Sequence, residues 1–152
     1  MELQSGEMTT HIISESFTWT PISWLYFQGA VHYVMNETDT PADEQLMGTV
    51  QDAKNDYWNG SISAGIAIND KTDLTVNYFY YRADNYEDNS LRGMPYNSSA
   101  EENAVTAVLS REINKNMRAS LKYGYFSNRD ETSGGHNNYN AHLVAATLQF
   151  RY

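Results

Sequence analysis

Residues Asn140 to Tyr152, NAHLVAATLQFRY, read as one β-strand. Val144, Ala146, Leu148, Phe150 and Tyr152 fall on one face at period two. Leu143, Ala145, Thr147, Gln149 and Arg151 fall on the other. Successive strand side chains point to opposite faces, so this is a strand with one apolar and one mixed face. Its apolar face carries on to a terminal aromatic residue. A strand of this kind suits a closed barrel, in which the last strand pairs with the first and no sheet edge remains.

Working outward, the same alternation recurs in six further stretches. Thr10 to Thr20 sets Ile13, Phe17 and Trp19 against Ser14, Ser16 and Thr18, with Glu15 intruding on the apolar face. Trp24 to Met35 sets Leu25, Phe27, Val31, Tyr33 and Met35 against Tyr26, Gln28, Ala30 and His32. Tyr57 to Ile68 gives Trp58, Ile62, Ala64, Ile66 and Ile68 against Asn59, Ser61, Ser63 and Gly65. Leu74 to Ala83 gives Leu74, Val76, Tyr78 and Tyr80 against Thr75, Asn77, Phe79 and Tyr81. Asn103 to Ile113 groups Val105, Ala107, Leu109 and Ile113, with Arg111 among them, opposite Thr106, Ser110 and Glu112. Met117 to Ser127 groups Met117, Ala119, Leu121, Tyr123 and Tyr125 opposite Arg118, Ser120, Lys122, Gly124 and Phe126.

The links between these stretches alternate in length. Pro21-Ile22-Ser23, Asn69 to Thr72 and Asn114-Lys115-Asn116 read as short turns, the first with φ preset by proline. Residues 36–56, 84–102 and 128–138 read as long polar loops. The expected fold is all-β: an antiparallel up-and-down meander of about seven strands of about ten residues, a length that crosses a bilayer when tilted. Short turns on one side and long loops on the other mark such a meander as part of a transmembrane β-barrel.

Composition narrows the classes. A formal charge of −9 with no basic patch speaks against a nucleic-acid partner. There is no cysteine, so disulfides and thiolate metal sites are excluded. No stretch approaches the ~20 apolar residues of a membrane helix. Aromatic residues gather at both strand ends: Trp19, Trp24, Phe150 and Tyr152 by the short turns, and Tyr33, Tyr57, Trp58, Tyr80, Tyr125 and Tyr139 by the long loops. Such girdles suit two membrane interfaces.

The terminal strand resembles that of bacterial outer-membrane β-barrel proteins of the porin-like kind, on Leu148, Phe150 and Tyr152, with Tyr where Phe is more usual. The resemblance implies that these three residues form a signal read by the barrel-assembly machinery. It also implies a bacterial outer-membrane location, lipid and lipopolysaccharide as surroundings, and passage of small solutes. On this reading Leu74, Val76, Tyr78, Leu109, Leu121 and Tyr123 face lipid, and Asn77, Arg118, Lys122, Gln149 and Arg151 face the lumen. Arg118, Lys122 and Arg151 would favour anions if unpaired, or form a structural network with acids such as Glu112. Arg111 sits where it reaches headgroups at the short-turn end. Outer-membrane barrels have even strand numbers and start in the periplasm. An odd count therefore predicts that residues 10–152 are the C-terminal part of a longer barrel, partnered by N-terminal strands of the same barrel, with 1–9 a disordered or truncated segment. The opening MELQSGEMTT lacks the pattern of a signal peptide, which agrees.

Alternation alone leaves two other classes open. A soluble β-sandwich or barrel used for binding has the same period and predicts a packed core of Leu74, Val76, Leu109 and Leu121. A barrel enzyme predicts a polar constellation near the loop end. None is legible: His11, His32, His136 and His142 lack metal-ligand spacing, and Asp84, Glu87 and Asp88 lack the periodicity of a calcium loop. No catalytic residue, metal or cofactor is therefore expected. Within the barrel family, a sleeve around an electron-transfer complex is a further alternative to a pore.

Overall fold

Three two-residue turns set the register of three of the sheet's hairpins. The computed structural model describes residues 6–40, 52–86 and 98–151. In chain order the strands are β1 (Glu7–Ile22), β2 (Leu25–Asp39), β3 (Ala53–Lys54), β4 (Tyr57–Asn69), β5 (Thr72–Asp84), β6 (Ser99–Asn114), β7 (Met117–Asp130) and β8 (Tyr139–Phe150). Strands β1, β2, β4, β5, β6, β7 and β8 pair in that order, each antiparallel to its neighbour. The two-residue β3 sits on the far end of β2, opposite Glu37 and Thr38. The expected all-β up-and-down meander of seven long strands is what forms.

The turns are Ser23-Trp24, Asp70-Lys71 and Lys115-Asn116. Asparagine side chains shape the second and third: Asn69 Oδ1 accepts from the Lys71 N–H at 3.0 Å, and Asn114 Oδ1 from the Asn116 N–H at 2.9 Å. Each hairpin shifts register just before its turn, at Trp19/Ile22, Ala67/Asn69 and Glu112/Asn114. The closing residue of each turn then extends the ladder to the next strand. The carbonyls of Trp24, Lys71 and Asn116 accept from the N–H groups of Ala67, Glu112 and Arg151, each at 2.8 Å.

Two boundaries differ from the sequence reading. The first turn is Ser23-Trp24 rather than Pro21-Ile22-Ser23. Pro21 lies inside β1 at the register shift, where its missing N–H interrupts no regular ladder position. The strands are also longer than about ten residues, 12 to 16 for the seven that form the meander. Periodicity detects only the apolar part of a strand, whereas backbone pairing runs on into polar sequence. Thus Glu7, Met8 and Thr9 pair with Asp39, Thr38 and Glu37, and the sheet begins before residue 10. The same extension shortens the expected loops 36–56, 84–102 and 128–138.

The sheet has a single layer. Among the described residues the buried hydrophobic side chains are Val34 and Ala83 alone. No element packs on either face; every element contact is between hydrogen-bonded neighbours. Two of the residues that a soluble sandwich would bury are open among the described residues: Leu109 is 43 % and Leu121 52 % exposed. Strands β1 and β8 do not meet, so each leaves one edge unpaired among the described residues.

Candidate functional site

Directly paired residues share a face in an antiparallel sheet, so register sorts every side chain. One face is polar. Thr18, Gln28, Ser63, Asn77, Thr106, Gly124 and Leu143 form one row across it. The row is joined by hydrogen bonds: Ser63 Oγ donates to Asn77 Oδ1 at 2.7 Å, and Asn77 Nδ2 donates to Thr106 Oγ1 at 3.3 Å. His32 Nδ1 and Ser14 Oγ meet at 2.8 Å on the same face. Tyr26 lies over Gly65; a Cβ on Gly65 would stand 2.0 Å from the ring, so only glycine admits the ring there.

Arg118, Lys122 and Gln149 belong to this polar face with Asn77. Arg118 and Gln149, joined by Arg151, line a cavity of about 240 Å³ at the short-turn end. The acid that Arg118 meets is Asp73, not the Glu112 expected from sequence. Its guanidinium donates to the Asp73 carboxylate at 2.6 Å, reaching over β6 from β7 to β5. Glu112 is the direct cross-strand neighbour, yet it forms no ion pair among the described residues. Long guanidinium stems span two strand spacings, and sequence adjacency does not reveal that reach. Lys122 has no ion-pair partner among the described residues.

The other face carries Leu74, Val76, Tyr78, Leu109, Leu121 and Tyr123, together with Leu148 and Phe150. Tyr152 lies outside the described residues. Its two most apolar rows are unbroken: Trp19, Phe27, Ala64, Val76, Ala107, Tyr123 and Val144, then Leu25, Ile66, Leu74, Leu109, Leu121 and Ala146. Val144 is 74 % exposed and Trp19 60 %, so this band is uncovered.

The edge of that band on the long-loop side is oblique. From β2 to β8 the last apolar residue before polar ones take over is Met35 on β2, Trp58 on β4, Tyr80 on β5, Val105 on β6, Tyr125 on β7 and Val144 on β8, whereas β1 departs from the trend, with Glu15 interrupting its apolar face after Phe17. Beyond it lie Arg82, Asn103, Ser127 and His142. The edge falls by four rows over five strand steps. At ~6.8 Å per row and ~4.8 Å per strand, the strands stand about 45–50° from the normal to that edge. Tyr33 and Trp58 stack at 4.4 Å along it. Further down, Tyr78 donates to Asn103 at 2.7 Å, Tyr125 donates to Asn140 at 3.2 Å, and Tyr123 meets His142 Nδ1 at 2.9 Å. Each ring has an apolar body and a polar tip. Of the aromatics expected at the loop-side girdle, Tyr57 and Tyr139 belong instead to the polar face, one position out of phase; Tyr57 packs against Tyr81 there.

The loop-side rim is tied strand to strand. Asp56 Oδ1 accepts from the Asn36 N–H, and the Asn85 amide exchanges two hydrogen bonds with the Asp56 backbone. Ser99, 3 % exposed, is fully partnered by Asp84 and Thr132. The β7–β8 loop folds around Asp130, whose carboxylate accepts from Asn137 Nδ2 at 2.8 Å and the Ser133 N–H at 3.3 Å. The Asn137 amide, with help from Ser133 and Thr132, holds the Asp130 carboxyl below its ordinary 3.8, against an opposing desolvation second in size only to the Asn137 hydrogen bond. Gly134 and Gly135 supply the positive φ that this loop requires, 63° and 85°.

Among the described residues no group of His, Asp and Glu is placed to hold a metal. His32 and His142 lie on opposite faces, and Glu87 and Asp88 of the acidic trio are outside the described residues. The Ser63–Asn77–Thr106 ladder escaped the sequence reading: counting back from the Asp70-Lys71 turn pairs Asn77 with Ala64, and only the register shift between Ala67 and Asn69 brings Ser63 opposite it. No family model, curated protein or solved structure matches this chain.

Proposed function

We propose that this chain forms a sector of the wall of a bacterial outer-membrane β-barrel of the porin-like kind, passing small solutes along its polar face. The observation that carries the reading is the oblique apolar band. A flat membrane cutting across strands tilted by ~45° draws such an edge on the lipid side of a barrel. The aromatic residues along it suit an interface, where rings sit with polar tips toward water. The ladder around Asn77 and the cations Arg118, Lys122 and Arg151 then line the lumen. Lipid and lipopolysaccharide cover Leu74, Val76, Leu109 and Leu121, and Leu148, Phe150 and Tyr152 serve the assembly machinery.

The edges support one further feature of this reading. With seven long strands in an up-and-down order, β1 and β8 run in the same direction. Antiparallel closure then takes an odd number of additional strands between them, as the N-terminal strands of the same barrel would supply. A direct test compares Leu121→Arg with Thr106→Arg. The first places a charge in the band and is expected to cost about 2–4 kcal/mol near the midplane or to block assembly. The second points to the polar face and is expected to assemble normally. Heat-modifiable electrophoretic mobility in detergent reads both; the reverse order of effects would sink the assignment.

A further inference from the structure

The apolar face is not level between β6, β7 and β8. A groove of about 410 Å³ lies there, lined by Leu109, Arg111, Ala119, Leu121, Ala146 and Leu148. Register explains its shape. Leu109, Leu121 and Ala146 form one row; Arg111, Ala119 and Leu148 form the next toward the short turns. The two alanines are diagonal neighbours, and the leucines stand beside them as walls. The trough therefore starts at Arg111, passes over Ala119 and rises to Ala146. Because the strands are tilted relative to the band, this diagonal runs inward from the band's short-turn border, close to the band's normal.

Arg111 is exposed, and its side chain makes no ion pair or hydrogen bond among the described residues. No acid shares its face in its own row or the rows on either side. Its sequence neighbour Glu112 points to the polar face, in register with Arg118. An unpaired guanidinium thus sits at the mouth of a hydrocarbon-lined trough. The ligand that complements both has a phosphate joined to an acyl chain: the phosphate takes a forked pair of charge-assisted hydrogen bonds, and the chain lies over the alanines.

We infer that this groove is a binding site for one glycerophospholipid of the leaflet on the short-turn side, its phosphate on Arg111 and one acyl chain over Ala119 and Ala146. The inference rests on the proposed membrane reading and adds a defined site to it. The test reconstitutes the protein in phosphatidylglycerol bilayers, extracts it into non-ionic detergent and weighs it intact by native mass spectrometry. The wild type is expected to keep one phosphatidylglycerol. Arg111→Gln is expected to retain it at least about tenfold more weakly, the size of one charge-assisted hydrogen bond. Ala146→Leu keeps the cation but fills the trough, and it too is expected to lose the lipid while inserting normally. Equal retention by all three proteins, or insertion without any retained lipid, overturns the site alone. Failure to enter bilayers at all overturns the membrane reading and the site with it.

Discussion

Gly65 and Tyr26 show how much one missing methyl group decides. The Tyr26 ring occupies the space that a Cβ at position 65 would take. Gly65→Ala must push the ring aside, and overpacking of this kind costs about 1–3 kcal/mol. The lower end is expected because a ring can swing where backbone cannot. In the Tyr26→Ala background the same substitution should be nearly neutral, and denaturant midpoints of the four proteins in a double-mutant cycle would read the difference. A second residue-scale case is Arg118 and Asp73. Both side chains are about half exposed, 53 % and 45 %, so solvent screens the pair and its coupling is expected to be below about 1 kcal/mol. Its larger effect is on charge. Asp73→Asn frees Arg118 on the same face and strand as Lys122, and under the proposed pore reading it should shift reversal potentials toward anion preference. An unchanged reversal potential would place the pair away from the solute path.

At the scale of elements, the β7–β8 connection behaves as a folded unit. Asp130 binds it through Ser133 and Asn137, and Thr132 fastens it to Ser99 on β6. A carboxyl held below its ordinary 3.8 contributes stability that is present above that value and lost as pH falls through the lower, folded-state value. Amide exchange at Ser133, Gly135 and Asn137 is therefore expected to accelerate selectively below pH 3.8. Asp130→Ala should show fast exchange already at neutral pH. Exchange that is uniform along the chain at all pH values would deny this loop its separate anchor. The hairpin turns at the opposite end carry no such titrating lock; asparagine side chains do the work at Asn69 and Asn114.

At the scale of the whole molecule, the described residues form a sheet whose apolar face none of them covers. Burial of that face is worth about 25 cal/mol for each Å² removed from water, so some apolar surroundings must supply it. Under the proposed reading, lipid is that occupant. The protein is accordingly expected to require detergent or lipid for a monodisperse folded state. Monodisperse behaviour in plain buffer, by light scattering with retained β circular dichroism, would return the soluble binding module to first place. The two unpaired edges are the second whole-molecule feature. Long edge strands of this kind template further pairing, and under the proposed barrel reading strands that continue the alternation would close them.

What the sequence alone determined is the class of the elements and the facing of nearly every side chain. Period-two alternation is a local property of the backbone, and the three short turns carry it from strand to strand. Leu74, Leu109 and Leu121 could be placed together, and Asn77 opposite them, before any coordinates. Strand ends were less legible, because hydrogen-bonded pairing continues through Glu7–Thr9 and Glu37–Asp39 where no apolar rhythm announces it. Pro21 looked like a turn because its fixed φ suits one; a register shift inside β1 suits it equally. Only the tertiary structure decided that no second layer of the described residues covers the apolar face, that Arg118 reaches Asp73, and that the band runs obliquely from β2 to β8. Each depends on distances between strands far apart in the chain, and a local pattern carries no information about them.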